Sequence, residues 1–195
     1  MKIAIIGNGN VGSALARRLT ATGHEVTVAN SATPPSQVAA QAAAADAVVL
    51  AVRFGVIAQL HDQVKAALNG KVVIDVTNPQ TPDFMALTIG HTTSAGEQVA
   101  TTLPGARVVK AFNTIFAANI EAPDLGGSPQ FLPVAGDDDT AKQTVIDLSI
   151  QLGFDAVDAG PLANARYLEP AVELLVHLAF ASGLGTGIGY TLARA

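Results

Sequence analysis

The run Gly7-Asn8-Gly9-Asn10-Val11-Gly12 follows a short apolar stretch, Ile3 to Ile6, and leads directly into a segment with apolar residues at Val11, Leu15 and Leu19. A glycine-rich turn between a strand and a helix is a device for holding phosphate. The first glycine makes the tight turn, the second lets backbone approach a pyrophosphate, and the third lets the helix pack closely on the strand. Gly7, Gly9 and Gly12 stand at those three positions, with Asn8, Asn10 and Val11 completing the turn. The helix behind it adds unpaired N–H groups and the positive end of its dipole. The run is read as a dinucleotide site rather than a structural turn.

The residue closing the second strand, about twenty positions on, selects between NAD and NADP. An acid there would bond the ribose hydroxyls of NAD and repel a 2′-phosphate. This chain has Asn30, Ser31 and Thr33 instead, which are neutral hydrogen-bonding groups, and this favours NADP(H). No arginine follows them.

Few other residues invite catalytic roles. Asn78 and Asn113 fall after the fourth and fifth expected strands, where their amides could bond a carboxamide or an acceptor carbonyl, or simply satisfy turn backbone. Lys110 lies in a strand that reads as buried, where a charge needs a partner. It could face the cofactor edge or pair with an acid such as Asp75. His24 reads as a turn residue, His61 and His91 as solvated, and His177 as an interface histidine. Asp137 to Asp139 lack the spacing of a calcium loop and read as helix capping. The chain has no cysteine, which removes thiolate metal sites, disulfides and a cysteine nucleophile. No catalytic side chain and no metal site is assigned.

These residues need a scaffold. Val- and Ile-rich runs at 2–7, 25–30, 47–52, 71–76, 106–112, 131–136 and 154–159 read as strands. Helical patterns at 11–22, 35–45, 55–68, 94–102 and 139–152 alternate with them. Ser94 and Glu97 form a capping box. Most strands are apolar without alternation, so the expected fold is α/β, a Rossmann-type, mostly parallel doubly wound sheet with helices on both faces. The link between the second and third strands has room for one helix only, so the further edge strand of a full dinucleotide fold is expected to be missing. Residues 1–160 form the nucleotide-binding domain and 161–195 a short C-terminal helical extension. From Leu168 to Ala181 apolar residues cover nearly the whole circumference, with Glu169 and Glu173 as one polar edge. That helix must be buried, either on its own domain or in a homodimer interface.

Composition narrows the partners. The net charge of −5 and the absence of a basic cluster argue against nucleic acid and anionic membrane. No apolar run approaches the ~18 residues of a membrane span, and Ile3 to Ile6 is too short for a signal-peptide core. A cytoplasmic protein acting on a small molecule is expected.

Three further stretches carry a family resemblance: VVKAFNT (108–114), VAGDDDTAKQTV (134–145) and GFDAVDAGPLANARYLEP (153–170). They resemble the NADP oxidoreductases that depend on the deazaflavin coenzyme F-420, and are similar to the cytosolic reductase domain of the six-transmembrane metalloreductases. The likeness spans almost the whole chain. It implies a dimer that binds NADP(H) across the carboxyl edge of the sheet, with a deazaflavin or flavin-like carrier beside the nicotinamide. By position, Gly7 to Gly12 would hold the pyrophosphate, and Asn30, Ser31 and Thr33 would surround the 2′-phosphate. Val52, Arg53 and Phe54 would border the ribose and nicotinamide side. Ala111, Phe112, Asn113, Thr114 and Ile115 would line the platform between nicotinamide and acceptor. The chain departs from the family in having Ala32 beside Ser31, Arg53 in place of a proline and Asn113 in place of a histidine. The implied function is direct hydride transfer between stacked rings, by alignment. The alternatives are an NADP(H)-binding sensor without turnover and a flavin-mediated ferric reductase. A dehydrogenase of small imino or hydroxy acids ranks last, because too little chain follows the Rossmann unit.

Overall fold

The computed structural model describes residues 1–194. Nine strands form: β1 (Lys2–Ile6), β2 (Glu25–Ala29), β3 (Ala47–Leu50), β4 (Val72–Asp75), β5 (Arg107–Lys110), β6 (Asp124–Leu125), β7 (Ser128–Pro129), β8 (Phe131–Gly136) and β9 (Asp155–Asp158). Seven of them build one sheet in the order β2-β1-β3-β4-β5-β8-β9, and β6 and β7 make a separate hairpin. Pairing is parallel from β2 through β5, antiparallel between β5 and β8, and parallel again from β8 to β9. All seven strands read from apolar runs are present within two residues at each end. β2 is the sheet edge and only α2 lies between β2 and β3, so among the described residues no further strand lies outside β2.

The helices are α1 (Asn10–Ala21), α2 (Pro35–Ala44), α3 (Phe54–Ile57), α4 (Asp62–Ala67), α5 (Ala95–Thr102), α6 (Ala117–Ile120), α7 (Asp139–Gln151) and α8 (Ala165–Val176). Side chains alternate across β1, and the two faces carry separate cores. Ile3 and Ile5 pack with Leu15 and Leu19 of α1 and Val145 and Leu148 of α7. Ala4 and Ile6 pack with Val38 of α2, Val64 of α4 and Val99 of α5.

Two sequence expectations are corrected here. The helix expected over 55–68 is two short helices, because His61 takes an extended backbone and its Nδ1 accepts from the Gln63 N–H, starting α4 afresh. Glu169 is not on a polar edge of the terminal helix but is 1% exposed, bound to other elements. The capping box holds: Ser94 Oγ accepts from the Glu97 N–H at 3.1 Å and donates to its carboxylate at 2.8 Å. Asp138 caps α7 through the Ala141 N–H. After α8, a π-helical turn (His177–Ala181) leads into an extended tail, which returns to the sheet where Phe131 N–H donates to Tyr190 O.

Candidate functional site

β1 has β2 on one side and β3 on the other, so the chain direction around the sheet reverses between the carboxyl ends of β1 and β3. Such a reversal opens a crevice for ligands. Gly7 sits in it with φ +115°, and a Cβ there would collide with the Ala51 carbonyl oxygen at the end of β3. A Cβ on Gly12 would collide with the Gly7 carbonyl oxygen and stand 3.2 Å from Ala51 Cβ. Both glycines are therefore demanded by chain packing. Gly9 differs: its backbone is ordinary, at φ −66°, and a Cβ there meets nothing within 4 Å. The space over Gly9 is open.

Gly9 is also the N-cap of α1, with no side-chain cap and no acid in the first turn. The first N–H groups of α1 are left for a ligand, and their dipole favours an anion. These residues fit a dinucleotide pyrophosphate. The Gly7 N–H donates to Ala29 O, which brings the end of β2 alongside. There Asn30 Oδ1 accepts from the Ala32 N–H at 2.8 Å, and Thr33 Oγ1 accepts from the Asn30 N–H at 3.0 Å. Asn30 and Thr33 close this turn on themselves and leave Ser31 exposed at its tip. Val52 lies against the turn, its Cγ1 3.1 Å from a Cβ placed on Gly7, and exposed Arg53 is the N-cap of α3 ahead of Phe54.

A cleft of about 890 Å³ begins at the first turn of α1 and runs away from the glycine loop. One face of α1 forms a wall through Asn10, Ser13, Ala14 and Arg17, at the i, i+3, i+4, i+7 spacing of a helix stripe. Val76, Asn78 and Gln80 after β4 and Phe112, Asn113 and Ile115 after β5 form the floor. Phe84 and Met85, Phe116, and Val172, Val176 and Phe180 of the C-terminal segment close it with apolar surface.

Phe112 is 3% exposed yet has φ +60°. A bulky residue in the left-handed region stores about 1–3 kcal/mol, and such residues cluster at ligand sites. It is held there by edge-to-face packing on Phe154, with ring centroids 5.7 Å apart. Asn78 and Asn113 bind each other: Asn78 Nδ2 donates to Asn113 O at 3.0 Å, and Asn113 Nδ2 donates to Asn78 Oδ1 and to Leu168 O, each at 3.1 Å. Asn113 Oδ1 is buried and takes no hydrogen bond from the described residues. Of the two roles open for these asparagines, turn-bracing accounts for both side-chain amide groups and leaves this one acceptor over.

The titratable groups lining the cleft are Arg17, Asp83 and Glu121. Arg17 Nη2 stands 2.7 Å from Glu121 Oε1, and their hydrogen bond raises the guanidinium and holds the carboxyl below the usual glutamate range. Asp83 is lowered first by the Thr81 hydroxyl and then by the Met85 N–H. All three are fixed in their charged forms, so none is poised for proton transfer near neutrality.

The structure thus brings Gly7 to Gly12, Asn30 to Thr33 and Val52 to one crevice, and Asn10, Val11, Asn78, Phe112, Asn113 and Ile115 to the adjoining cleft. It separates Thr114, which lines a smaller cleft with Phe131, Pro133 and Tyr190. Ala111 is wholly buried, its N–H donating to Asp75 O. Sequence reasoning missed Arg17 and Glu121, the Gln80–Met85 loop, and Val172, Val176 and Phe180. Only the Asn10-Ser13-Ala14-Arg17 stripe had a legible signal, the helical period. Of the remaining residues, His24 Nδ1 accepts from the chain's terminal ammonium group and His177 Nε2 lies 3.0 Å from Met85 O. Among the described residues no cluster of acids and histidines is arranged to hold a metal.

A reversed-order parallel sheet with an open glycine turn and an adjoining cleft defines a Rossmann-type nucleotide-binding scaffold. The fold is shared, at 17% identity and a TM-score of 0.69 over 94% of this chain and 64% of the other, with an imine reductase from Myxococcus stipitatus solved with NADP+. The family described as NADP oxidoreductase coenzyme F420-dependent matches residues 2–79. The structure of a candidate F420-dependent NADP reductase from Arthrobacter sp. FB24 matches with a TM-score of 0.88 and 32% identity, covering 100% of both chains. The chain belongs to this family of NADP oxidoreductases. It is also 34% identical over 183 residues to metalloreductase STEAP3 of Rattus norvegicus, covering 86% of this chain and 36% of that protein, so it spans about a third of that relative's length. No helix among the described residues is long and apolar enough to cross a membrane.

Proposed function

We propose that the chain transfers hydride between NADP(H), held at Gly7 to Gly12, and a planar deazaflavin or flavin-like carrier lying in the cleft. One observation carries the reading: the cleft continues directly from the first turn of α1 as an apolar slot whose ionisable groups are all locked in their charged states. Hydride transfer between two rings needs no side-chain acid or base. It needs alignment, and holding reactants in a near-attack arrangement supplies roughly 7–11 kcal/mol of barrier reduction. The bound nicotinamide supplies the hydride chemistry. The chain's part is to grip the pyrophosphate, exclude water with Phe112, Phe116, Val172 and Val176, and hold the floor rigid through the Asn78–Asn113 bracing.

The 2′-phosphate is accommodated by Ser31, with the Arg53 guanidinium supplying the positive charge that the Ser31–Ala32 turn lacks. The protein acts as a cytoplasmic homodimer. Leu174, Phe180 and Leu184 are 55%, 63% and 61% exposed on one chain, which supports burial of the C-terminal segment against a second copy.

Purified protein incubated with 4-deuterated NADPH and, in turn, a deazaflavin, FMN, FAD and a ferric chelate tests the reading. With the deazaflavin, deuterium is expected on the ring carbon that accepts the hydride; with FMN or FAD the hydride goes to N5 and its label exchanges with water, so loss of the nicotinamide absorbance is the readout. Oxidation by the ferric chelate only when flavin is added would identify the flavin-mediated ferric reductase. Nucleotide binding with no oxidation by any carrier would leave the sensor reading in its place.

A further inference from the structure

Lys110 on β5 is wholly buried, and so are the two carboxylates it meets. Its Nζ is 2.9 Å from Asp75 Oδ2 on β4 and 2.9 Å from Glu169 Oε1 on α8, and it donates its third hydrogen to Thr77 O. Asp75 lies directly opposite Lys110 in the parallel register. Glu169 accepts two more hydrogen bonds, from the Ala95 and Gly96 N–H groups at the start of α5. The cluster carries one cation and two anions, and the N-terminal end of α5 offsets the excess negative charge. Such a buried arrangement is costly to assemble and is weak evidence for stability, but it specifies geometry tightly.

Its position is informative. Thr77 begins the loop carrying Asn78 and Gln80, and Lys110 ends the strand that leads into Phe112 and Asn113. Glu169 adjoins Leu168, whose carbonyl accepts from Asn113 Nδ2. Asp75 and Lys110 therefore stand one and two residues from the floor of the cleft, at Val76 and Phe112, and Glu169 adjoins the residue whose carbonyl holds Asn113. We propose that Lys110 is a positioning residue: with Asp75 and Glu169 it locks the Leu168–Glu169 turn of α8 against the ends of β4 and β5, and so sets the Asn78–Asn113 bracing on which ring alignment depends. This rests on the reading that the cleft holds the hydride acceptor.

Glu169→Gln is the mildest test, because Lys110 and Asp75 remain as a neutral pair. Glutamine offers one acceptor atom where three donors converge, and its amide group must face one of them. Side-chain amide resonances of Asn78 and Asn113 are followed by NMR, together with the backbone amides of Gly7 to Gly12. The Asn113 amide is expected to shift and exchange faster, while the glycine-loop amides and NADPH affinity stay as in the parent protein. In turnover, kcat with the carrier is expected to fall about tenfold or more, with the primary deuterium isotope effect altered. A merely structural role would lower the melting temperature without moving these readouts. Should Glu169→Gln not fold, Lys110→Arg carries the same measurements: it keeps the charge, but a planar fork cannot direct three N–H groups from one atom. Unchanged Asn113 signals in a folded variant would overturn the inference. A parent protein that reduces no carrier would overturn the hydride reading alone, since the amide signals still decide the positioning role.

Discussion

Replacing Gly9 with alanine separates a nucleotide-binding turn from a purely structural one. The Gly9 backbone, φ −66° and ψ −170°, is open to alanine, and the added Cβ meets no atom within 4 Å. Two small effects on stability oppose each other. Alanine is a poorer N-cap than glycine by about 0.5–1 kcal/mol, whereas removing a glycine restricts the unfolded chain by about 0.4–1 kcal/mol. They nearly cancel, so the melting temperature should move by no more than a few degrees. Nucleotide affinity should not survive so well. The methyl group would fill the space through which a pyrophosphate reaches the N–H groups of α1, displacing one or two charge-assisted hydrogen bonds of about 1.5–3 kcal/mol each. A loss of about 2–4 kcal/mol corresponds to a roughly 30- to 700-fold weaker NADPH complex at about 1.4 kcal/mol per tenfold. Calorimetric titration and scanning calorimetry on the same preparation measure the two quantities. Gly12→Ala is the control with the opposite signature, because its Cβ collides with Gly7 O, and overpacking of about 1–3 kcal/mol should lower the melting temperature. Gly9→Ala protein binding NADPH within threefold of the parent would refute the reasoning.

Arg53→Ala should weaken NADPH severalfold and leave NADH unaffected, as read by titration of nicotinamide fluorescence; equal effects on both cofactors would remove Arg53 from the 2′-phosphate. Light scattering at micromolar concentration should return about twice the 19.8 kDa chain mass, and Phe180→Glu should return the single-chain value. The Glu97 carboxyl is held below the ordinary value of 4.5, chiefly by the Arg166 guanidinium, with burial acting the other way. Its folded pKa lies below its unfolded one, so its contribution to stability is present above about pH 4.5 and is lost as pH falls through the lower folded value. Glu97→Gln should therefore flatten the acid limb of a stability-against-pH curve and lower stability at neutral pH.

The strands, the glycine turn and most helices were legible because their signals are local. A run such as Ala47 to Leu50 is apolar at every position only where both faces are covered, and helix caps such as Ser94 are written within four residues. The chemistry at the glycine loop was legible for the same reason, since strand, turn and helix N-terminus are consecutive. The break between α3 and α4 was not, because the apolar period runs through His61 and only its backbone angles interrupt the helix. Nor was the fate of Thr114 against that of its neighbours Asn113 and Ile115, since a turn closed by the left-handed Phe112 redirects each side chain.

The amino-acid sequence by itself determined the order of the seven sheet strands and of helices α1, α2, α5 and α7 between them, the mostly parallel core, the nucleotide turn and the absence of an acid at the end of β2. Each depends on residues within one turn or one strand of each other. Only the tertiary structure decided what Lys110 meets, that Glu169 faces inward rather than outward, and that Arg17 of α1 and Val172 of α8 line one cleft. Those outcomes are set by charge burial and packing between segments far apart in the chain. An isolated helix pattern shows that Glu169 is acidic, but only the convergence of Lys110 with the Ala95 and Gly96 N–H groups offsets the cost of burying its charge.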